Sequence, residues 1–227
     1  MPPELPGNNT PGDDLFAGLP TSLPSIEAIT AGAVILRGFT RQDAPLLIEA
    51  IAAIDAIAPF RQMVTPGGYQ MSVAMTSCGA FGWTTDRTGY RYTLRDPMTD
   101  LLWPKMPAIL LDLAAKAAKA AGFSGFTPDS CLINRYAIGS KLSLHQDRDE
   151  PDRSAPIVSV SLGLPATFQF GGLQRSDPIR RYRLEHGDVV VWGGPARLAH
   201  HGITALKPGT HPLTGHQRYN LTFRKAG

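Results

Sequence analysis

The pattern of apolar and polar positions changes character twice along this chain. Residues 1–27 are rich in Pro, Gly, Asn and Ser and hold no sustained period, which reads as a mobile N-terminal tail. Residues 33–36 form a short apolar run suited to a strand. Leu46, Leu47, Ala50, Ile51, Ile54 and Ile57 then recur at helical spacing. Thr40, with Asp43 three residues on, gives that helix a capping-type start, and Pro59 gives it a stop. Residues 60–103 lose the helical period. Short segments such as residues 69–75 alternate weakly between the turn signals Pro66-Gly67-Gly68 and Thr88-Gly89. They predict a small β-rich lobe carrying Trp83, Tyr90 and Tyr92. A second helix is predicted over residues 107–121, where Pro107 suits the first turn and Gly122 the residue past the end.

Beyond Gly122 the chain reads as a succession of strands: residues 130–136, 141–145, 157–163, 167–170, 181–184, 188–192 and 218–224. Gly and Pro punctuate most of the junctions. Many short strands with glycine-rich turns argue for a mainly β fold with flanking helices, a sandwich or barrel. There is no internal repeat.

Composition narrows the picture only a little. At 227 residues, one compact domain is the default, and such a chain needs neither disulfides nor structural metal to bury a core. A net charge of +3 makes no case by itself for nucleic acid. Arg175, Arg180, Arg181 and Arg183 do cluster, as a solvated strand face or as phosphate contacts. Cys78 and Cys131 lack CxxC or zinc-ligand spacing and read as reduced and packed. Glu4, Asp13 and Asp14 stand where a signal peptide would be basic and then apolar, and no run nears about 18 apolar residues. A cytoplasmic protein with no membrane span is expected.

The chemistry enters with His145-Gln146-Asp147. On a strand, a His-x-Asp step turns both side chains to one face, because the period is two. A third ligand must come from another strand, and His201 is the candidate. Gly202 beside it allows close backbone approach, whereas His200 faces the other way on an extended chain. Two histidines and one carboxylate hold one side of a non-haem Fe(II) and leave other positions open. Catalytic zinc accepts the same donors. His186, His211 and His216 fall in loops or at element ends and are not expected to bind metal.

Residues 218–224 favour iron with an organic acid. Arg218, Asn220, Thr222 and Arg224 share one face; Tyr219, Leu221 and Phe223 share the other. The two arginines lie roughly 20 Å apart along the backbone at about 3.3 Å per residue. Leaning inward, they can close on opposite ends of a five-carbon diacid, and guanidinium pairs carboxylates in bidentate fashion. Asn134 and Tyr136 share a face of a neighbouring strand and can meet the same ligand. The plainer reading is the polar outer face of an ordinary strand, which the company of Asn220 and Thr222 weakens.

The stretches FRQMVTPGGY, SVAMT, GWTT, CLINRY, KLSLHQD, PIVSVSLGLPA, FQFGGL, LEHGDVVVWGG and RYNLTFR, in that order, make the chain resemble the AlkB family of Fe(II)- and 2-oxoglutarate-dependent dioxygenases from about residue 31 to 226. The departures are His200, the segment Gly215-His216-Gln217 and the long tail. The resemblance implies a double-stranded β-helix, or jelly roll, over residues 105–227, and a nucleotide-recognition lid over residues 59–104. Both lie in one dioxygenase domain of residues 28–227. It implies that His145, Asp147 and His201 bind Fe(II), that Asn134, Tyr136, Arg218, Asn220 and Arg224 bind 2-oxoglutarate, and that O2 is the third reactant. Trp83, Tyr90, Arg91, Tyr92, Asp149 and Arg175 then face the substrate.

The implied reaction is oxidative demethylation of N1-methyladenine and N3-methylcytosine in DNA, and in RNA as well. It releases formaldehyde and converts 2-oxoglutarate to succinate and CO2. The implied partner is alkylated DNA, single-stranded before duplex, met by a monomer. Such a base must leave its stack, and aromatic walls are the natural clamp. Asp149, two residues past Asp147, points into the same pocket if the chain stays extended, and its charge would favour cationic bases. Without the resemblance it reads as one carboxylate of the solvated run Arg148-Asp149-Glu150. Two other classes compete: a 2-oxoglutarate oxygenase acting on a protein or small metabolite, and a metal-free nucleic-acid binding module. The three ligands and both arginines argue against the second.

Overall fold

Strict alternation along the central strands sorts side chains onto the two faces of one large sheet. In the computed structural model, which describes residues 25–227, the elements run β1 (Ser25–Thr30), β2 (Ala33–Arg37), α1 (Ala44–Ile57), β3 (Arg61–Val64), β4 (Gln70–Gly79), β5 (Gly82–Asp86), β6 (Gly89–Thr93), α2 (Ala108–Ala120), β7 (Ser130–Tyr136), β8 (Leu142–His145), β9 (Ile157–Gly163), β10 (Ala166–Phe170), β11 (Arg180–Leu184), β12 (Val189–Trp192), β13 (His201–Ile203) and β14 (Arg218–Arg224). Eight strands form an antiparallel sheet in the order β1-β2-β12-β9-β14-β7-β4-β3, and four form a second in the order β11-β10-β13-β8. Among the described residues, β5 and β6 pair only with each other.

β9 lies deep in the large sheet, and all seven of its residues are buried. Val158, Val160 and Leu162 turn to one side, with Leu221 and Phe223 of β14 and Ile133 of β7. There they pack against Leu47 and Ile51 of α1 and Leu110 and Leu113 of α2. Leu47 and Leu110 are wholly buried, a contribution of about 1.5–3 kcal/mol each. The other side of the large sheet meets the small one, where Met75, Leu132 and Trp192 pack against Phe168 and Phe170. Two facing sheets, one of them covered outside by helices, make a jelly roll: a sandwich, as the run of short strands predicts, and the double-stranded β-helix that the resemblance implies. Between the sheets the apolar filling gives way to Asn134, Ser159, Ser161, Arg218, Asn220, Thr222 and Arg224, all buried and all on the inner face. That change of chemistry marks the site.

Several boundaries differ from the sequence expectation. Residues 25–27, expected in the tail, belong to β1; Ser25 pairs with Arg37, and the Arg37 side chain binds Glu27. Residues 1–24 lie outside the described residues. Helix α1 begins at Ala44 rather than Thr40, because residues 38–43 close two turns, with Arg41 N–H donating to the Gly38 carbonyl and Asp43 N–H to that of Thr40. Asp43 makes no side-chain cap; Pro45, which needs no N–H acceptor, sits in the first helical turn instead. β13 is three residues long and was not expected as a strand, since so short a run shows no period. Cys78 and Cys131 face each other across β4 and β7, free and buried, as expected. No helix among the described residues is long and apolar enough to cross a membrane.

Candidate active site

His145 ends β8 and His201 begins β13, and the ladder pairs the two directly. Gly202 makes this approach feasible: a Cβ there would lie 2.7 Å from the Leu142 carbonyl oxygen. The imidazole centroids are 4.4 Å apart. Asp147 lies two residues past the end of β8, so strand alternation alone does not aim it. Its carboxylate is held by Arg224, whose Nε and Nη2 donate to Oδ2 at 2.9 and 2.7 Å. Oδ1 lies 3.5 Å from His145 Nε2, and Oδ2 lies 3.8 Å from His201 Nε2. One donor atom from each of the three residues falls within 4.8 Å of the others.

The tautomers suit a metal. His145 Nδ1 faces the Ser143 carbonyl at 2.8 Å, and His201 Nδ1 faces that of Ala199 at 3.0 Å. A proton on each Nδ1 leaves the Nε2 lone pairs turned to the shared centre. Burial, followed by the neighbouring His145, pushes His201 down to about 4, so it stays neutral at ordinary pH. Burial alone would raise the Asp147 carboxyl, but Arg224 and the two imidazoles outweigh it and hold the group well below the usual carboxylate range. Burial alone would lower His145, but Asp147 outweighs it and raises that imidazole, so His145 gives up a proton when its Nε2 takes a cation. Two imidazole nitrogens and one ionised carboxylate are the donor set that Fe(II) accepts.

Beside this cluster lies a cationic pocket. Arg218 is almost wholly buried, yet has no acidic partner among the described residues. Its Nη2 donates to Ser161 Oγ at 3.0 Å, its guanidinium carbon lies 4.9 Å from the Tyr136 ring centre, and Nε and Nη1 have no partner. Nη1 of Arg224 is also unpaired. Asn134 Nδ2 donates to Asn220 Oδ1, and Asn220 Nδ2 donates to Ser159 Oγ and to the Val160 carbonyl. A buried, unpaired guanidinium is costly unless an anion completes it. A small dicarboxylate matches these unpaired donors in charge and in hydrogen-bonding capacity. Thus all five expected cosubstrate residues and all three expected metal ligands line one cavity of about 760 Å³.

With this geometry established, comparison with known proteins identifies the lineage. The family model described as 2OG-Fe(II) oxygenase superfamily matches residues 32–224. The alpha-ketoglutarate-dependent dioxygenase AlkB of Escherichia coli is 63% identical over 214 residues, covering 94% of this chain and 98% of its own. That of Salmonella typhimurium is 62% identical over 213 residues, covering 94% and 97%. The chain belongs to the AlkB family. Among solved structures, OsALKBH1 superposes with a TM-score of 0.77 at 29% identity, over 88% of this chain and all of that one. This AlkB-family chain is therefore an Fe(II)- and 2-oxoglutarate-dependent dioxygenase, and the donor set and the unpaired arginines described above fit both groups.

The mouth of the AlkB-family cavity holds most of the residues expected to face substrate. In the β5–β6 hairpin, Trp83 pairs with Tyr92 and Thr85 with Tyr90, so all four share a face. Trp83 and Tyr90 stack at 5.7 Å and line the cavity, as do Asp149 and Arg175. Trp83 Nε1 donates to Asp149 Oδ2 at 3.2 Å, and Arg175 donates to the Leu144 carbonyl at 3.0 Å. Tyr92 lies deeper, outside the cavity lining, where its hydroxyl donates to Glu150. Burial keeps that phenol protonated. Arg91 is not brought to the cavity: it pairs with Thr84 on the opposite face and binds Asp86 in a bidentate pair. His200 lines the cavity without joining the metal cluster. His186 and His211 stack on each other at 4.3 Å away from it.

Sequence reasoning overlooked four residues here. Glu150 and Arg197 are both buried and paired at 3.0 Å, and Arg197 Nη1 also donates to the Asp147 carbonyl at 2.6 Å. Ser159 and Ser161 were overlooked too, although a period-two reading of β9 places both on the pocket face.

Proposed function

We propose that this dioxygenase removes N-alkyl groups oxidatively from bases of alkylated nucleic acid, single-stranded DNA foremost, with N1-methyladenine and N3-methylcytosine as substrates. In this reading residues 59–104 serve as the lid that receives the base, and one chain acts as a monomer. The observation that carries it is the continuity of one cavity. Its floor holds the His145, Asp147 and His201 donors, and its mouth holds a stacked Trp83–Tyr90 pair with a carboxylate beside it.

His145 and His201 would hold Fe(II) through Nε2 and Asp147 through its carboxylate. Arg218 and Arg224 would take the two carboxylates of 2-oxoglutarate, with Asn134, Tyr136 and Asn220 completing its surroundings. When bound, this pair of groups supplies with O2 the oxidant for a methyl C–H bond, and succinate and CO2 leave. Trp83 and Tyr90 stack on the extruded base, a contact worth about 1–3 kcal/mol for any base. Lys141, Arg148 and Arg175 ring the mouth, where phosphates of the strand would lie. The hydroxylated methyl group departs as formaldehyde and restores the base.

The test is direct. The protein is incubated with Fe(II), 2-oxoglutarate and oligonucleotides carrying one defined methyl lesion, and mass, formaldehyde and succinate are read together. Loss of one methyl mass with equal formaldehyde and succinate is expected. Succinate formed on no nucleic acid, but on a peptide or metabolite, would overturn the substrate assignment.

Asp149 should discriminate among lesions. Both proposed bases carry a positive charge that undamaged bases lack. A carboxylate at about 4 Å attracts such a charge by roughly 4 kcal/mol at an effective dielectric near 20, before desolvation. Asp149→Asn is expected to lower kcat/KM on cationic lesions by about tenfold, the size of a ~1.4 kcal/mol remnant, and to change neutral N-alkyl lesions far less. Equal losses on both lesion types, measured on matched oligonucleotides, would count against charge selection.

A further inference from the structure

Among the described residues, two acidic side chains lie within reach of the Arg224 guanidinium, and only one belongs to the His-Asp-His cluster. The other is Glu150, which is 3% exposed. Its Oε1 accepts the Tyr92 hydroxyl and lies 3.4 Å from Arg224 Nε. Its Oε2 accepts Arg197 Nη2 at 3.0 Å. Arg197, equally buried, also donates to the carbonyls of Asp147 and Ala155 and so pins the loop that follows β8. One carboxylate therefore joins the hairpin that carries Trp83, the loop that carries Asp147 and the strand that carries both arginines. Two carboxylates and two guanidiniums balance within the cluster, so no net charge is buried there.

We propose that Glu150 is a positioning residue that holds Arg224 between two carboxylates, thereby sets how much of the Asp147 charge is left for the metal, and relays the placement of Tyr92 in the hairpin to that end of the site. The proposal rests on the reading of His145, Asp147 and His201 as the Fe(II) ligands. Its logic is competition for one guanidinium. Arg224 Nε and Nη2 both donate to Asp147 Oδ2, while Glu150 draws on the same Nε from 3.4 Å. Without the Glu150 charge, Arg224 pairs with Asp147 alone and neutralises more of it. Without the Tyr92 hydroxyl, Glu150 Oε1 is free to take a larger share of Arg224, and Asp147 is released toward the metal. The two substitutions thus act in opposite directions. A scaffold role would make both harmful.

Mn(II) is the probe. Its binding to the whole protein is titrated under argon by the electron paramagnetic resonance signal of the free ion. Glu150→Gln is expected to weaken binding by about tenfold, the lower end of what residues behind a metal ligand contribute. Tyr92→Phe is expected to strengthen it, and to have no effect in the Glu150→Gln background. Circular dichroism accompanies each variant. Should Glu150→Gln fail to fold because Arg197 loses its partner, Tyr92→Phe, at a half-buried position, decides the matter alone. Unchanged or weaker Mn(II) binding in Tyr92→Phe overturns the proposal, as does unchanged binding in a folded Glu150→Gln. Failure of the unsubstituted protein to bind one Mn(II) would instead remove the metal centre itself, a distinct outcome.

Discussion

Asp147→Ala is expected to end turnover and metal binding together. The carboxylate is the one anionic donor in the cluster, and it is ionised because Arg224 and two imidazoles hold its pKa down. Its loss leaves two imidazole nitrogens and no anionic donor, a set with far less affinity for a divalent cation. The loss should exceed the roughly 10–100-fold that outer residues of a metal site contribute. Stability should fall as well. Arg224 Nε and Nη2 both lose their acceptor in a buried place, and breaking a buried pair from one side costs about 3–5 kcal/mol. Asp147→Asn separates the two effects, because an amide oxygen still accepts from Arg224. That variant is expected to keep its fold by circular dichroism, to melt near the unsubstituted protein, and to bind no Fe(II) or Mn(II). Retained turnover in either variant would remove Asp147 from the ligand set.

What made this site legible was periodicity. β14 shows seven residues of clean alternation, and the structure places Arg218, Asn220, Thr222 and Arg224 on the pocket face as that alternation requires. Asn134 and Tyr136 follow from the same rule on β7, directly opposite Asn220 and Arg218. The His-x-Asp step names side chains that the structure does bring together, but for an incomplete reason. Asp147 is beyond the strand, and a tertiary contact from 77 residues away, Arg224, aims it. No local pattern announces such a contact. Glu150 illustrates the limit more sharply: within Arg148-Asp149-Glu150 it reads as solvated, and only Arg197, 47 residues on, makes its burial tolerable. Arg91 is the opposite case. It stands between Tyr90 and Tyr92 on one strand, so if both tyrosines face the pocket it cannot. That inference was available from alternation alone.

Arg218→Met should cost the enzyme its cosubstrate while costing the fold nothing. Among the described residues, Arg218 is a buried cation facing a hydroxyl, an aromatic ring and no acid, with two of its nitrogens unpaired. Burial lowers its pKa, the direction expected when the charged form is disfavoured there. Methionine fills similar space without that penalty, and exchanging a buried ion for a packed apolar group is often neutral or stabilising. The melting temperature without ligand is therefore expected to hold or rise. Binding reverses the balance. A bidentate guanidinium–carboxylate pair in a dry pocket is strong, and losing it at about 3 kcal/mol corresponds to a rise of roughly 100-fold in the 2-oxoglutarate KM. Thermal shift supplies a readout independent of turnover. A ligand at 100 times its Kd stabilises by about 2.7 kcal/mol, and the same concentration should give only about 0.4 kcal/mol in Arg218→Met. Arg218→Lys should recover only part of the difference, since an ammonium offers charge without the planar fork. If 2-oxoglutarate raises the melting temperature of Arg218→Met as far as that of the unsubstituted protein, Arg218 does not hold the diacid.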